Sequence, residues 1–452
     1  MSHFQTINPY NQQVLQSYSY LEEEEINNRL EQSNQAYHVW RKTSYDSRAA
    51  LMRQLAQLLK QHIDPLAKLM TQEMGKPLAQ AVAEINKCCW VCEYYAENAA
   101  VFLSKKEIKT NAQKSWIQFE PLGIILGIMP WNFPFWQAFR FAIPTLMAGN
   151  CVIVKHAPST FGSSEAIQAL FEEAGFPKHV YSNFIIDISQ VERVISHPFI
   201  SAVSLTGSEK AGQAVSSIAS RNIKKSVLEL GGSNAFIVLE DADIGTAVDI
   251  GIEGRMQNNG QSCIAAKRFL VHRSIYQEFT ERFASKMKSF VTGDPMKAEV
   301  TLGPLARIEL AEKLELQIQH SIRQGARLIL GGGRNKAFVE PTILTEVIPG
   351  MPAFDEELFG PVAAFTAFDK LEEAIQLSNQ NNYGLGVSLF TTQLDQIIDH
   401  ISEFEEGAVF INEKVMSDPR LPFGGVKNSG IGRELGEHGL LEFVNVKTVY
   451  LA

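Results

Sequence analysis

Two short runs in this chain carry residue types that can do covalent chemistry. Asn258-Asn259-Gly260-Gln261-Ser262-Cys263 ends in a thiol, and Glu229-Leu230-Gly231-Gly232, a little way upstream, offers a carboxylate. A thiol attacks a carbonyl well because cysteine is partly ionised near neutral pH, and its adduct splits one hard step into two easier ones. A carboxylate in reach activates the water that releases the product, so the pair points to acyl chemistry on an aldehyde. A cysteine taken at random is most often a small buried hydrophobe. The polar Gly-Gln-Ser-Cys stretch between two expected elements suits a partly exposed reactive thiol better.

Three further segments could serve such a centre. Pro130-Trp131-Asn132-Phe133-Pro134 follows an apolar run, and its two prolines stiffen the loop around one amide; Asn132 is either an ordinary turn residue or a donor to an oxyanion. Leu205-Thr206-Gly207-Ser208, with Gly212 next, reads as a strand end opening into a helix. Its glycine spacing differs from the usual dinucleotide fingerprint, yet a helix N-terminus there can receive phosphate oxygens. Lys155 ends the apolar run Cys151–Val154, where ligands of parallel sheets bind. Cys88, Cys89 and Cys92 contain a C-x-x-C spacing but lie in a helical pattern with no second ligand pair, so core packing is expected and no metal site. Gly331-Gly332-Gly333 reads as a turn, because no Lys-Ser/Thr follows it.

The elements that must position these residues fall into three stretches. The first hundred residues read as mainly helical, with a helix over Asp46–His62 capped by Asp46 and a longer one over Leu78–Phe102. From Gly123 the apolar runs Gly123–Met129, Cys151–Val154, Ala202–Leu205 and Ala235–Leu239 alternate with helix-like stretches, which predicts βαβ units and a parallel sheet. Beyond Gly232 the runs Phe269–Val271, Arg327–Leu330, Val362–Phe368, Val387–Phe390 and Ala408–Ile411 imply a second α/β unit, with a helix at Ile308–Gln324 between them. Lys106–Glu120 reads as a two-stranded arm and Asn445–Leu451 as an edge strand of the kind that pairs with another subunit.

Composition narrows the classes. With 452 residues the chain exceeds one compact core, and 45% hydrophobic with 20% charged residues is ordinary for a globular enzyme. Net charge −9 argues against a nucleic-acid face, so an anionic substrate needs locally placed cations. The apolar run Leu122–Trp131 is too short to span a bilayer, and Met1–Gln13 lacks a signal-peptide pattern, so a cytoplasmic location is expected. Five cysteines make no disulfide framework at this size.

The ordered series Pro130-Trp131-Asn132-Phe133-Pro134, Thr206-Gly207-Ser208, Glu229-Leu230-Gly231-Gly232, Gly260-Gln261-Ser262-Cys263, Glu357-Leu358-Phe359-Gly360-Pro361 and Pro422-Phe423-Gly424-Gly425 resembles the aldehyde dehydrogenase superfamily over nearly the whole chain. The resemblance implies an α/β fold: a Rossmann-like NAD(P)-binding domain over residues 1–105 and 122–231, a catalytic domain over 232–428, and an oligomerisation arm and tail over 106–121 and 440–452, in a homodimer or homotetramer. It implies that Cys263 attacks the aldehyde through a thiohemiacetal and a thioester, that Asn132 and the Cys263 N–H hold the oxyanion, and that Glu229 activates water. Lys155 and Glu357 would hold the cofactor riboses, Ser208 with Gly207 and Gly212 would lie near the pyrophosphate, and Trp131, Leu230 and Phe359 would border the nicotinamide.

Within the superfamily the run Lys155-His156-Ala157-Pro158 is similar to bacterial succinate-semialdehyde dehydrogenases, which implies a short acid-aldehyde substrate. Arg140 and Ser417 match the residues that bind the substrate carboxylate there, and an arginine fork suits that group. Where many relatives carry a second arginine this chain has Gln257, one charge fewer. Where NAD-strict relatives place a ribose-binding Glu it has Pro158, so nothing acidic is expected to repel a 2′-phosphate. Both NAD and NADP are expected, with Lys155 and Ser159 able to meet the extra phosphate and His156, Ala157 and Pro158 expected to contact the cofactor beside them. Ala265, two past the nucleophile, removes a disulfide switch made by some relatives. A broad-specificity aldehyde dehydrogenase and a silent scaffold remain as alternatives, the latter disfavoured by retention of Cys263, Glu229 and Asn132.

Overall fold

The computed structural model describes residues 3–452. Two parallel-rich sheets organise the fold, as the alternation of apolar runs and helices predicts. The first has six strands in the order Gly430–Ile431, Lys225–Glu229, Ile200–Thr206, Ile124–Met129, Cys151–His156, Tyr181–Asn183, all parallel except the short Gly430–Ile431 strand. The chain enters at Ile124–Met129, winds outward through Cys151–His156 and Tyr181–Asn183, then returns to the other side through Ile200–Thr206. The order therefore reverses between Ile124–Met129 and Ile200–Thr206, and a crevice at their carboxyl ends is where such sheets bind ligands.

The second sheet has seven strands in the order Arg327–Leu330, Thr342–Thr345, Val362–Phe368, Ala266–His272, Asn234–Val238, Val387–Phe390, Val409–Ile411, with Arg327–Leu330 antiparallel to its neighbour. Its central strands are buried on both faces. In Asn234–Val238, Ala235 and Ile237 enter one core while Phe236 and Val238 enter the other, the two-residue period of a strand. Phe236 stacks on Phe390 and Phe269 on Phe365, at centroid separations of 4.5 and 5.0 Å, tying strand to strand.

Helices Glu23–Trp40, Tyr45–Gln61, Ile63–Met74 and Leu78–Phe102 pack beside the first sheet. The N-terminal stretch is not helical throughout: His3–Ile7 and Val14–Ser19 form an antiparallel hairpin. The cap of Tyr45–Gln61 is Ser44 rather than Asp46, its hydroxyl accepting from the Ser47 N–H at 3.1 Å. Cys88, Cys89 and Cys92 are buried on Leu78–Phe102 and burial raises all three thiols, the core role their pattern indicates. Glu84 on the same helix accepts from the backbone N–H groups of Phe135 and Trp136, both at 2.9 Å, and pairs with the buried Lys76. A remote carboxylate thus holds the first turn of helix Pro134–Met147, which directly follows the Asn132 loop.

Lys106–Glu107, Lys114–Pro121 and Val444–Leu451 form a separate antiparallel sheet in which Asn445 lies opposite Glu120. No helix among the described residues is long and apolar enough to cross a membrane.

Candidate active site

The Cys263 loop begins where helix Ile244–Met256 stops. Asn258, Asn259 and Gly260 follow one another with φ of 59°, 57° and 75°, the left-handed region that asparagine and glycine enter most readily. Only glycine fits at 260, since a Cβ there would lie 2.3 Å from the carbonyl carbon of Gly360. The Asn259 amide donates to the carbonyls of Gly75 and Pro304 and accepts from the Gly303 N–H, and Asn258 donates to the carbonyls of Asn132 and Gln261. Buried Arg255 donates to the Gly260 carbonyl at 2.6 Å. This surplus of bonds fixes a backbone that would otherwise be strained.

Asn132 joins the same lattice, donating from Nδ2 to the Gln261 carbonyl at 3.0 Å. A primary amide has two N–H groups, so one remains for a ligand. Lys267, which sequence reasoning passed over, is buried and donates to the carbonyls of Ser262 at 2.9 Å and Cys263 at 2.7 Å while pairing with Glu357 at 3.2 Å. Burial lowers its ammonium to about 8, against the pull of Glu357.

Cys263 is partly exposed and stands where two cavities meet, one of 460 Å³ and one of 700 Å³. Burial of the sulfur pushes its pKa up to about 11, against the opposing pull of Arg140 and Lys267. Glu229 ends strand Lys225–Glu229 ahead of the two glycines, as its surroundings in the sequence indicate. Its carboxyl, however, lines neither cavity. It is enclosed beside Gly424, with one oxygen 2.6 Å from where a Cβ at that glycine would sit, and neither oxygen has a hydrogen-bond partner. Burial raises its pKa well above the usual carboxylate range, helped by the neighbouring charge of Glu434.

The larger cavity gathers the carboxyl ends of the first sheet. Trp131, Asn132, Lys155, Ala157, Pro158, Gly207, Ser208, Leu230, Glu357 and Phe359 all line it. Trp131 and Phe359 meet edge to face at 5.8 Å, and Glu357 accepts from the Gly232 N–H at 3.0 Å. Ser208 caps helix Glu209–Arg221 by accepting from the Ala211 N–H at 3.3 Å, leaving the helix start open to the cleft. Ile188, Val191, Val215 and Ile218 supply an apolar wall, and Arg307 and Lys313 supply cations that the sequence pattern did not single out. An open helix start, flanking cations and an apolar slot fit a dinucleotide.

Some expected contacts need correction. His156 is wholly buried with neither ring nitrogen bonded, burial lowers its pKa to about 3, and it does not reach the cavity. Ser159 is not on the cavity wall, and Gly212 serves packing, since a Cβ there would strike Leu230 at 2.7 Å. Acidic groups do stand nearby: Glu192 lines the cavity, and Asp187 is close enough to oppose the lowering that burial imposes on Lys155.

The smaller cavity contains Arg140, Gln257, Ser417 and Cys263 together, as expected of a substrate site. Arg140 is not a free cation. Its guanidinium pairs with buried Glu434, donates to the Thr206 hydroxyl at 3.1 Å and lies over the Phe423 ring. Gln257 is exposed at the cavity edge, and Ser417 Oγ accepts from Lys87 at 2.7 Å.

Comparison with known proteins agrees with this arrangement. The aldehyde dehydrogenase family model matches residues 1–449. A succinate-semialdehyde dehydrogenase [NADP(+)] of Deinococcus radiodurans is 43% identical over 99% of this chain and 94% of its own, and the succinate semialdehyde dehydrogenase [NAD(P)+] Sad of Escherichia coli is 42% identical over 99% and 98%. The crystal structure of succinic semialdehyde dehydrogenase from Streptococcus pyogenes with NADP+ superposes with a TM-score of 0.97 at 36% identity, covering 99% of both chains. A thiol on a pinned loop between a dinucleotide-shaped cleft and a polar-ended tunnel, carried on this fold across the whole chain, settles the assignment: the protein belongs to the aldehyde dehydrogenase family.

Proposed function

We propose that the protein oxidises succinate semialdehyde, or a closely related short acid-aldehyde, to the carboxylic acid with NADP+ or NAD+. The observation that carries this reading is the position of Cys263 between two cavities, the smaller of which bears Arg140 and Ser417 at its polar end. An aldehyde with a distal carboxylate fits such a tunnel: its carbonyl reaches the sulfur while its charged end meets the cation.

Cys263 Sγ, its proton released, forms a bond to the aldehyde carbon, and the carbonyl electrons move to oxygen. The remaining Asn132 amide N–H and the Cys263 backbone N–H receive that oxyanion. The cofactor, when bound, supplies a hydride acceptor. Lys155 and Glu357 would hold its riboses, Gly207 and Ser208 its phosphates, and Trp131, Leu230 and Phe359 its reactive ring. Lys155 also meets the 2′-phosphate of NADP, with Ser159 second to it because Ser159 lies off the wall. Collapse of the oxyanion breaks the carbon–hydrogen bond, the hydrogen leaving as hydride, and leaves a thioester on Cys263. Glu229 then turns from Gly424 toward the sulfur and takes a proton from water, whose oxygen displaces the thiolate. The raised pKa of Glu229 makes it a stronger base once ionised.

Residues 1–105 and 122–231 bind cofactor and 232–428 are catalytic, a division supported by the presence of two separate sheets. Segments 106–121 and 440–452 act in a homodimer or homotetramer, since Val444–Leu451 is an edge strand paired only with Lys114–Pro121 and exposes Val446, Tyr450 and Leu451. The enzyme works in the cytoplasm. A second reading, broad aldehyde oxidation, is favoured by the pairing of Arg140 with Glu434, which reduces the charge that Arg140 offers.

Initial rates of NADPH and NADH formation from succinate semialdehyde, butanal and benzaldehyde, with Cys263→Ala as control, decide between the two. A preference for succinate semialdehyde, abolished in the mutant, supports the first. Equal rates on all three aldehydes leave the second.

A further inference from the structure

Lys87 projects from helix Leu78–Phe102 into the 460 Å³ cavity that also holds Cys263. Its Nζ donates to Ser417 Oγ at 2.7 Å and lies 4.4 Å from the centroid of the Trp136 ring. Among the described residues no carboxylate stands within 4.0 Å of it. The nearby acids are engaged elsewhere: Glu84 with Lys76 and two backbone N–H groups, Asp418 with Arg420, and Glu253, also on the cavity wall, with Lys414. Arg140, the other cation on this wall, is matched by Glu434. The net positive charge of the cavity therefore resides on Lys87.

A half-buried ammonium with two N–H groups unused is costly unless an anion completes it. Its surroundings agree, because burial and the like charge of Arg140 lower its pKa to about 8, with Cys88, Asp418 and Glu84 opposing. The aromatic and apolar faces of Trp136, Phe290 and Phe423 flank the passage between Lys87 and the thiol. Gln257, exposed at the rim, is neutral and adds no charge to this wall.

We propose that Lys87, with Ser417, is the principal anchor for the distal carboxylate of the substrate, supplying from helix Leu78–Phe102 the charge that Gln257 does not. Arg140 then acts beside it, polarised by Glu434 and held in place by Thr206. This rests on the acid-aldehyde reading above, and it names a residue of this chain that sets the substrate class.

The test compares Lys87→Met and Lys87→Arg with the unsubstituted enzyme, using succinate semialdehyde and butanal as substrates and succinate as an inhibitor of butanal oxidation. Loss of a hydrogen bond between charged groups is worth about 1.5–3 kcal/mol, so Lys87→Met raises KM for succinate semialdehyde and Ki for succinate by about 10–100-fold. KM and kcat for butanal stay within about twofold, which also shows that the variant folds, and Lys87→Arg restores most of the loss. An unchanged KM ratio and an unchanged succinate Ki in Lys87→Met overturn the assignment of Lys87 while leaving the acid-aldehyde reading intact. Equal loss on butanal and succinate semialdehyde overturns it too, marking a structural lysine. If the unsubstituted enzyme itself shows no preference for succinate semialdehyde and no inhibition by succinate, the acid-aldehyde reading has failed first.

Discussion

Alkylation of Cys263 by iodoacetamide in the cofactor-free enzyme should be slow at neutral pH and climb steeply with pH. The sulfur is desolvated, which pushes its pKa up to about 11. At pH 8 such a thiol is ~0.1% ionised, against ~25% for an unperturbed cysteine, a ~250-fold deficit. The more basic thiolate is the better nucleophile, and a Brønsted slope of about 0.45 over the 2.5-unit pKa difference returns ~13-fold. The net expectation is alkylation ~20-fold slower than that of free cysteine at pH 8, rising nearly tenfold per pH unit to pH 10. The other four cysteines are buried, so mass spectrometry of the Cys263 peptide after brief exposure at each pH isolates the event. Steric shielding lowers every point equally and leaves the slope untouched. A plateau below pH 9 would refute the reasoning, because it would show that Arg140 and Lys267 outweigh burial and hold a stable thiolate.

Asn132→Ala removes the amide N–H left free beside the nucleophile loop and should lower kcat by about 10²–10³ with little change in KM, measured by steady-state kinetics. Glu84→Leu strips the partner from buried Lys76 and the acceptor from two backbone N–H groups at the start of helix Pro134–Met147. Urea unfolding should show a loss of about 3–5 kcal/mol.

Legibility differed by kind of signal. Strands buried on both faces announced themselves, because Cys151–Val154 is apolar throughout and Val362–Phe368 is interrupted only by Thr366. The His3–Ser19 hairpin did not, since its residues are largely polar and its burial depends on distant partners such as Phe161. The cap at Ser44 was missed by two positions because Asp46 offers the same chemistry in the first turn. In the site, residues in loops rich in glycine and asparagine were findable from local sequence. Those arriving from regular elements were not: Lys87 sits in a helical pattern where lysine ordinarily faces water, and Lys267 lies near the start of a strand with no unusual neighbour. The fate of Arg140 depends on Glu434, nearly three hundred positions away, which no local spacing could reveal.

The two cavities that meet at Cys263 share little wall: Gln137 and Cys263 belong to both, whereas Lys87, Arg140, Gln257 and Ser417 face one and Lys155, Pro158 and Ser208 the other. Choice of aldehyde and choice of cofactor are therefore written on separate surfaces. Apart from the Arg140–Thr206 hydrogen bond, which joins the two walls, substitutions on opposite sides should add in their free-energy effects. Such a protein can exchange one preference without renegotiating the other, and a family built this way can drift through many aldehydes while its redox currency stays fixed.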